Sequence, residues 1–556
     1  MCVGASLGRT ADAPPVPAAA TAQTRPLSFR YVSTPAFRRP VSLPDRSIRA
    51  IDTASPARVS TGIAGLDEIL GGGLPANHLY LVDGEPGTGK TTLALQFLLA
   101  GAEAGQRGLY VTLSETRAEL VGVAASHGWS LDTVDVFELS PEESGAADEG
   151  YTIFHPAEIE LQQTMDAVFA AVQRSAASLV VLDSLSEMRL LARDPLRFRR
   201  QILALKHHFA TRDCTVLLLD DKTAPEGDLQ LQSLAHGVIA LEHVAQDYGS
   251  ERRRLQVVKL RGLRFRGGYH DFRIRTGGLA VFPRLRVDQR GDPGDQPLVP
   301  SGSPSVDQLL GGGLRAGTSL LITGPAGTGK SVLATQYACA AVTRGERVRF
   351  FLFDERLSIF RLRAEGLGLD VSTPIADGRL CVQQVEPTEL SPGEFAHQVM
   401  TAVEVDGVRM VVIDSINGYL QSMPEERLLA IQVHELLSYL ATKGVTCVMT
   451  LVQHGIFGSP VDEAADVSYL ADSVVLLRYF EVSGAVRQAI SIVKKRSGDH
   501  ERTIRESRVQ RGGLLVGAPL REFQGVLTGV PSFTGSPDDL MSPRVRPAAA
   551  PRDADD

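Results

Sequence analysis

Short runs of unbroken apolar residues punctuate this chain, with helical patterns between them. Leu79-Tyr80-Leu81-Val82, Leu109 to Leu113, Leu179 to Asp183, Thr215 to Leu219 and Val238 to Leu241 form one series. Each is too short for a helix and apolar almost throughout, as expected of a strand buried on both faces. Between them apolar positions recur at helical spacing, as at Leu93, Phe97 and Ala100, and over Leu196–Ala210. Alternating strands and helices predict an α/β fold with a mostly parallel sheet flanked by helices.

The same series is then written again. Ser319–Thr323, Val348–Phe353, Met410–Asp414, Thr446–Leu451 and Val474–Leu477 follow in the same order. The opening of the first copy, Thr61-Gly62 through Asp67 to Gly71-Gly72-Gly73-Leu74, returns as Ser301-Gly302 through Asp307 to Gly311-Gly312-Gly313-Leu314, at a constant offset of 240 positions. A repeat of this length means one domain duplicated. The expected organisation is a tail over 1–55, a first domain over 56–287, a linker over 288–297, a second domain over 298–530 and a tail over 531–556. The linker is polar and carries Gly and Pro without apolar periodicity. The leading segment is rich in Pro, Ala, Ser, Thr and Arg and poor in acids. An Arg-rich, acid-poor leader can be a transit peptide, but the density of Pro opposes an amphipathic helix and favours a disordered tail.

Bulk properties narrow the function classes. The 556 residues carry 43% hydrophobic and 22% charged side chains, an ordinary globular balance. The formal net charge of −8 argues against polyanion binding by bulk charge. Five scattered cysteines, with no C-x-x-C pair, suggest neither a zinc ribbon nor a disulfide framework and fit a cytoplasmic location. No uninterrupted apolar run reaches the roughly 18 residues of a membrane helix.

The chemistry lies in two glycine-rich loops. Gly84-Glu85-Pro86-Gly87-Thr88-Gly89-Lys90-Thr91 and Gly324-Pro325-Ala326-Gly327-Thr328-Gly329-Lys330-Ser331 both satisfy G-x-x-x-x-G-K-[ST]. Glycines let successive backbone N–H groups turn inward around phosphate oxygens. Lys90 and Lys330 are then expected to reach the outer phosphates of ATP, while Thr91 and Ser331 hold Mg²⁺. Thr92 and Val332 complete the nucleotide-contacting stretch. A single match occurs by chance in a chain of this length; two at equivalent places in a duplication point to a nucleotide site in each half.

Other residues extend each site. Asp183 and Asp414 end apolar strands and precede Ser184 and Ser415. An acid there faces the ligand crevice and can hold Mg²⁺, although Asp is also a good helix N-cap. Glu115 after the second strand of the first copy, and Asp354 with Glu355 in the second, are candidates to position or deprotonate water, or simply to begin the next helix. Lys259 with Arg261, and Lys494 with Arg496, recur near the ends of the two copies. They read either as solvated surface or as cations reaching the phosphates of a neighbouring subunit.

Together these residues resemble the KaiC family of double-domain ATPases, over about residues 56–530. The resemblance implies two tandem RecA-like domains, ATP at the subunit interfaces of a homo-hexameric ring, slow hydrolysis in the first domain and serine/threonine autophosphorylation in the second. It also makes Glu115, Asp354 and Glu355 the catalytic acids. Ser114 replaces the first acid of the family's pair, and Asp354 stands where the family usually has Glu. The family's phosphorylated Ser-Thr pair aligns with Ser468-Tyr469, so a single phosphosite, Ser468, is expected. Phe523 to Pro531 is similar to the family's segment near the ring pore. The tail over 538–556 does not match the family's KaiA-binding tail, so KaiA regulation is not carried over; a KaiB-type partner on the first domain remains open. Two other readings stand beside this one. A DNA-dependent ATPase of the RecA or helicase kind would want basic, aromatic pore loops, yet the chain has one tryptophan, Trp129, and no paired basic loops recur. A scaffold that binds ATP only for assembly is opposed by the intact Lys90, Lys330, Asp183 and Asp414.

Overall fold

A computed structural model describes residues 57–139, 156–222, 229–245, 250–286, 296–386, 388–421, 426–453, 468–482, 484–526 and 532–533. Two sheets of nine strands each dominate it. The first runs from edge to edge as Val134–Glu138, Gly108–Thr112, Leu179–Asp183, Thr215–Asp220, Leu79–Gly84 and Gly237–Val244, all parallel. Arg252–Leu260, Tyr269–Arg275 and Gly278–Phe282 then extend it antiparallel. The second sheet repeats this arrangement from Leu380–Gln384 across to Ser473–Val482, ending in Ala485–Lys495, Arg505–Gln510 and Gly513–Pro519.

Side chains alternate across a strand, so each uniformly apolar run feeds two cores at once. Tyr80 and Val82 enter one layer with Leu93 and Phe97 of the helix Lys90–Glu103. Leu79 and Leu81 enter the opposite layer with Val168 of the helix Pro156–Ser175 and Ile202 of Pro195–Ala210. In the second sheet Leu320 and Ile322 pack with Leu333 and Tyr337, whereas Leu321 faces Phe395 and Leu440. These are the two mostly parallel α/β sheets expected from the alternation, with helices on both faces, and they match the two tandem RecA-like domains that the family resemblance implies.

The antiparallel extensions lie over the glycine-rich loops. A Cβ on Gly89 would stand 2.7 Å from Ile274 Cδ1 on Tyr269–Arg275, and one on Gly329 would stand 2.8 Å from Val509 Cγ2 on Arg505–Gln510. The strand that carries Ile274 also reaches the second domain. Arg273 Nη1 lies 3.2 Å from the Glu394 carboxylate, Arg275 pairs with the same carboxylate, and the Gly393 amide donates to Asp271 Oδ2 at 2.8 Å. Glu394 opens the helix Pro392–Glu404, so the partners of its buried charge come from the other domain.

Candidate functional site

Each glycine-rich loop leaves the carboxyl end of a buried central strand and closes on a helix N-terminus. Gly87 and Gly327 sit at φ 80°, and Gly89 and Gly329 at φ 101° and 98°. Side chains other than glycine are strained there, which is why the pattern needs Gly at these places. Thr88 Oγ1 donates to Glu85 O, and Thr328 Oγ1 to Pro325 O, both at 2.8 Å, giving the two loops the same internal tie. Helix-terminal N–H groups behind such a turn form a ready anion cradle. Thr92 and Val332, in the first helical turn, are buried behind it.

The loop lysines are buried and curl back over their own loops. Lys90 Nζ donates to Gly84 O at 2.7 Å and Glu85 O at 3.0 Å, and pairs with Asp221 Oδ1 at 2.9 Å. Lys330 Nζ donates to Pro325 O at 2.6 Å, and burial brings its pKa down to about 8. The buried Lys330 ammonium, donating to a carbonyl, is one that an anion would stabilise.

Asp183 and Asp414 sit beside the loop hydroxyls. Asp183 Oδ2 accepts from Tyr110 OH at 2.5 Å and lies 3.4 Å from Thr91 Oγ1. Asp414 Oδ1 accepts from Thr450 Oγ1 at 2.5 Å, and the Ser331 hydroxyl stands close enough to influence its carboxyl. Burial pushes both carboxyls above their ordinary range. Asp183 does not cap the helix that follows it, Leu185–Ala192, whose cap position is Ser184. A buried carboxylate next to a hydroxyl at the head of a phosphate loop is an all-oxygen donor set suited to Mg²⁺. Both Asp–Ser peptide bonds are cis.

The acids after the second strand differ between the domains. Glu115 is half-buried, its Oε2 finds no hydrogen-bond partner, and its carboxyl is raised by burial and then by the nearby Asp183. The helix that follows is capped by Thr116 and Glu119 without it. In the second domain Asp354 accepts from the Ser415 hydroxyl, and Glu355 is gripped by Arg363 through Nε at 3.1 Å and Nη2 at 2.7 Å.

The basic pairs hold carbonyls of their own chain. Lys259 Nζ donates to Gln232 O at 2.6 Å and Ala235 O at 2.9 Å, with Arg261 Nη2 on Ser233 O at 2.5 Å. Lys494 Nζ donates to Ser468 O at 3.1 Å and Tyr469 O at 3.0 Å, and Arg496 Nη2 to Tyr469 O at 2.7 Å. Within each pair the cations do share a face, and in the second domain that face holds the backbone of Ser468. The linker 288–297 lies outside the described residues up to 295, as do the tails at 1–55 and 534–556.

Some residues near the loops escaped the sequence reading. Asp221 follows Asp220 at the end of an apolar strand, the same signal that marked Asp183, and it was legible. Tyr110, Thr450 and Arg363 reach the site only through the fold, and no spacing rule marks them.

Known proteins resemble this chain over most of its length. A family model described as the KaiC ATPase matches the chain twice, over residues 59–286 and 299–521. A circadian clock protein KaiC3 from Synechocystis is 26% identical over 494 residues, covering 87% of this chain and 96% of its own length. A circadian clock oscillator protein KaiC from Picosynechococcus is 27% identical over 490 residues, covering 85% and 92%. Another of that name, from Parathermosynechococcus lividus, is 26% identical over 484 residues, covering 85% and 87%.

Proposed function

The chain belongs to the KaiC family of ATPases, and from that premise we propose that it binds Mg·ATP at both loops and hydrolyses it at the subunit interfaces of a cytoplasmic hexameric ring. We further assign it serine autokinase and autophosphatase activity on Ser468, with the nucleotide and phosphorylation state read by a KaiB-type protein partner in a timing role of the circadian kind. The observation that carries this reading is the duplicated set itself. Each half holds a buried loop lysine, a loop hydroxyl and a buried aspartate in the same relation.

The loop amides with Lys90 and Lys330 would bind and orient the triphosphate. Thr91 with Asp183, and Ser331 with Asp414, are the residues that would hold Mg²⁺, which when bound supplies charge neutralisation on the phosphate oxygens. In hydrolysis Glu115 takes a proton from water as the water oxygen bonds to the γ-phosphorus and the bond to the bridging oxygen breaks, leaving ADP and phosphate. In the second domain Asp354 and Glu355 serve the same step, with the Ser468 hydroxyl in place of water for autophosphorylation. Lys259, Arg261, Lys494 and Arg496 would turn towards the phosphates of an adjacent subunit on assembly.

The test is phosphate release from Mg·ATP by the intact chain and by Glu115→Gln and Glu355→Gln variants, with mass spectrometry of the Ser468 peptide. Release that falls in the variants, with phosphate on Ser468, supports the assignment. No release at all removes it, and an unmodified Ser468 peptide at full coverage removes the kinase half. The DNA-dependent alternative is not carried forward, since the family match is to the KaiC ATPase.

A further inference from the structure

We propose that Arg363 is a positioning residue that draws Glu355 away from water activation, so that the second domain's ATPase is restrained by a contact the first domain lacks. The proposal rests on the ATPase reading above and concerns regulation of that same site.

The contact is specific in geometry. The guanidinium takes both oxygens of Glu355 in a two-point fork, Nε to Oε1 at 3.1 Å and Nη2 to Oε2 at 2.7 Å, and extends Nη1 to Thr335 Oγ1 at 3.4 Å. Thr335 lies on the loop helix Lys330–Thr343, and Arg363 on the next helix, Leu357–Gly366. Its side chain stacks over Phe360 at 5.5 Å and is only 21% exposed. Arg363 therefore ties the acid to the helix that begins at the phosphate loop. A fork of this kind fixes direction as well as charge.

The first domain shows what the same position looks like without the arginine. At the repeat offset of 240, Arg363 corresponds to Val123 and Thr335 to Leu95. Both pack into the apolar core, and Glu115 keeps an oxygen with no partner. A general base needs a free lone pair within reach of the water it activates. Glu115 has one. Both Glu355 oxygens are turned onto the Arg363 fork, which fixes where their remaining lone pairs point, and Asp354 accepts from Ser415.

The test measures steady-state phosphate release in the full chain carrying Glu115→Gln, which isolates the second domain. Arg363→Val, the residue found at position 123, raises kcat on the order of tenfold with KM for ATP unchanged, the pattern of a freed base rather than altered ground-state binding. Arg363→Gln, which keeps the side-chain stem and its polar end, gives a gain in the same direction should the valine variant fail to fold. Arg363→Lys, a single cation without the fork, returns the rate towards that of the restrained protein. Adding Glu355→Gln abolishes the gain. A kcat that stays level or falls in both neutral variants overturns the proposal, as does a gain that survives Glu355→Gln. An unsubstituted chain that releases phosphate while the neutral variants show no gain sinks the proposal alone. An unsubstituted chain that releases none sinks the ATPase reading with it.

Discussion

Glu115 Oε2 is a buried carboxylate oxygen without a partner, at the end of the strand next to the one that carries Asp183. Glu115→Gln removes the base while keeping the shape, so phosphate release measured in a Glu355→Gln background should fall about 10²-fold. Burial and the neighbouring Asp183 charge raise the Glu115 carboxyl, and a base works only when deprotonated. First-domain activity should therefore be lost on acidification at a higher pH than an ordinary glutamate would set; a pH–rate profile with its acid limb in the ordinary glutamate range would contradict this. His236 gives a stability counterpart. Packed edge-on against His78 at 3.7 Å between ring centroids, it is held neutral by burial first and by the nearby His78 and Arg261 charges next, which bring its pKa from 6.5 down to about 4. The unfolded chain takes up this proton at higher pH than the folded chain does. Its contribution is thus full above pH 6.5 and drains away as pH falls towards 4. His236→Gln should flatten the drop in melting midpoint across that interval, and an unchanged drop would count against it.

Among the elements, the two antiparallel extensions do something that the parallel core does not: each lays a side chain on the loop glycine. Gly89→Ala meets Ile274 Cδ1 at 2.7 Å and adopts φ 101°, which costs an L-residue about 1–2 kcal/mol before the clash is counted. Nucleotide binding should be lost at the first loop and kept at the second, read by titration against the Gly329→Ala protein, which should show the reverse. These extensions also mark how far the sequence could be read. Leu79–Gly84, Leu179–Asp183 and their copies were visible because both faces of a central strand are apolar. Tyr269–Arg275 is polar on one face, which packs on the second domain, and alternates His270 and Phe272 with Asp271 and Arg273, so its apolar signal is thin. Loops and strand-end acids were legible because local spacing dictates them. Tyr110, Thr450 and Arg363 were not, because register and helix packing bring them in from distant sequence.

At the scale of the whole molecule, the strand Tyr269–Arg275 is one of several contacts that join the two halves, alongside Arg284 with Glu435 and Ser250 with Thr388. Ile274 touches the first loop, while Arg273 and Arg275 on either side of it clasp Glu394, whose side chain is 5% exposed. Glu394→Ala leaves two guanidinium groups without their buried partner. Complete breakage of a buried pair costs about 3–5 kcal/mol. The arginines are 30% and 48% exposed, so solvent should reduce the loss to about 1–3 kcal/mol. Denaturant unfolding should begin earlier and resolve the domains into separate transitions; a curve identical to that of the parent would show that the clasp does not couple them. The central claim is that each half of the duplication holds its own nucleotide. Equilibrium dialysis with Mg·ATP tests it most directly, comparing the parent chain with Lys90→Ala and Lys330→Ala. The account predicts one nucleotide per loop in the parent and the loss of one with each lysine. A parent chain that retains none, or a stoichiometry that neither substitution changes, would contradict it.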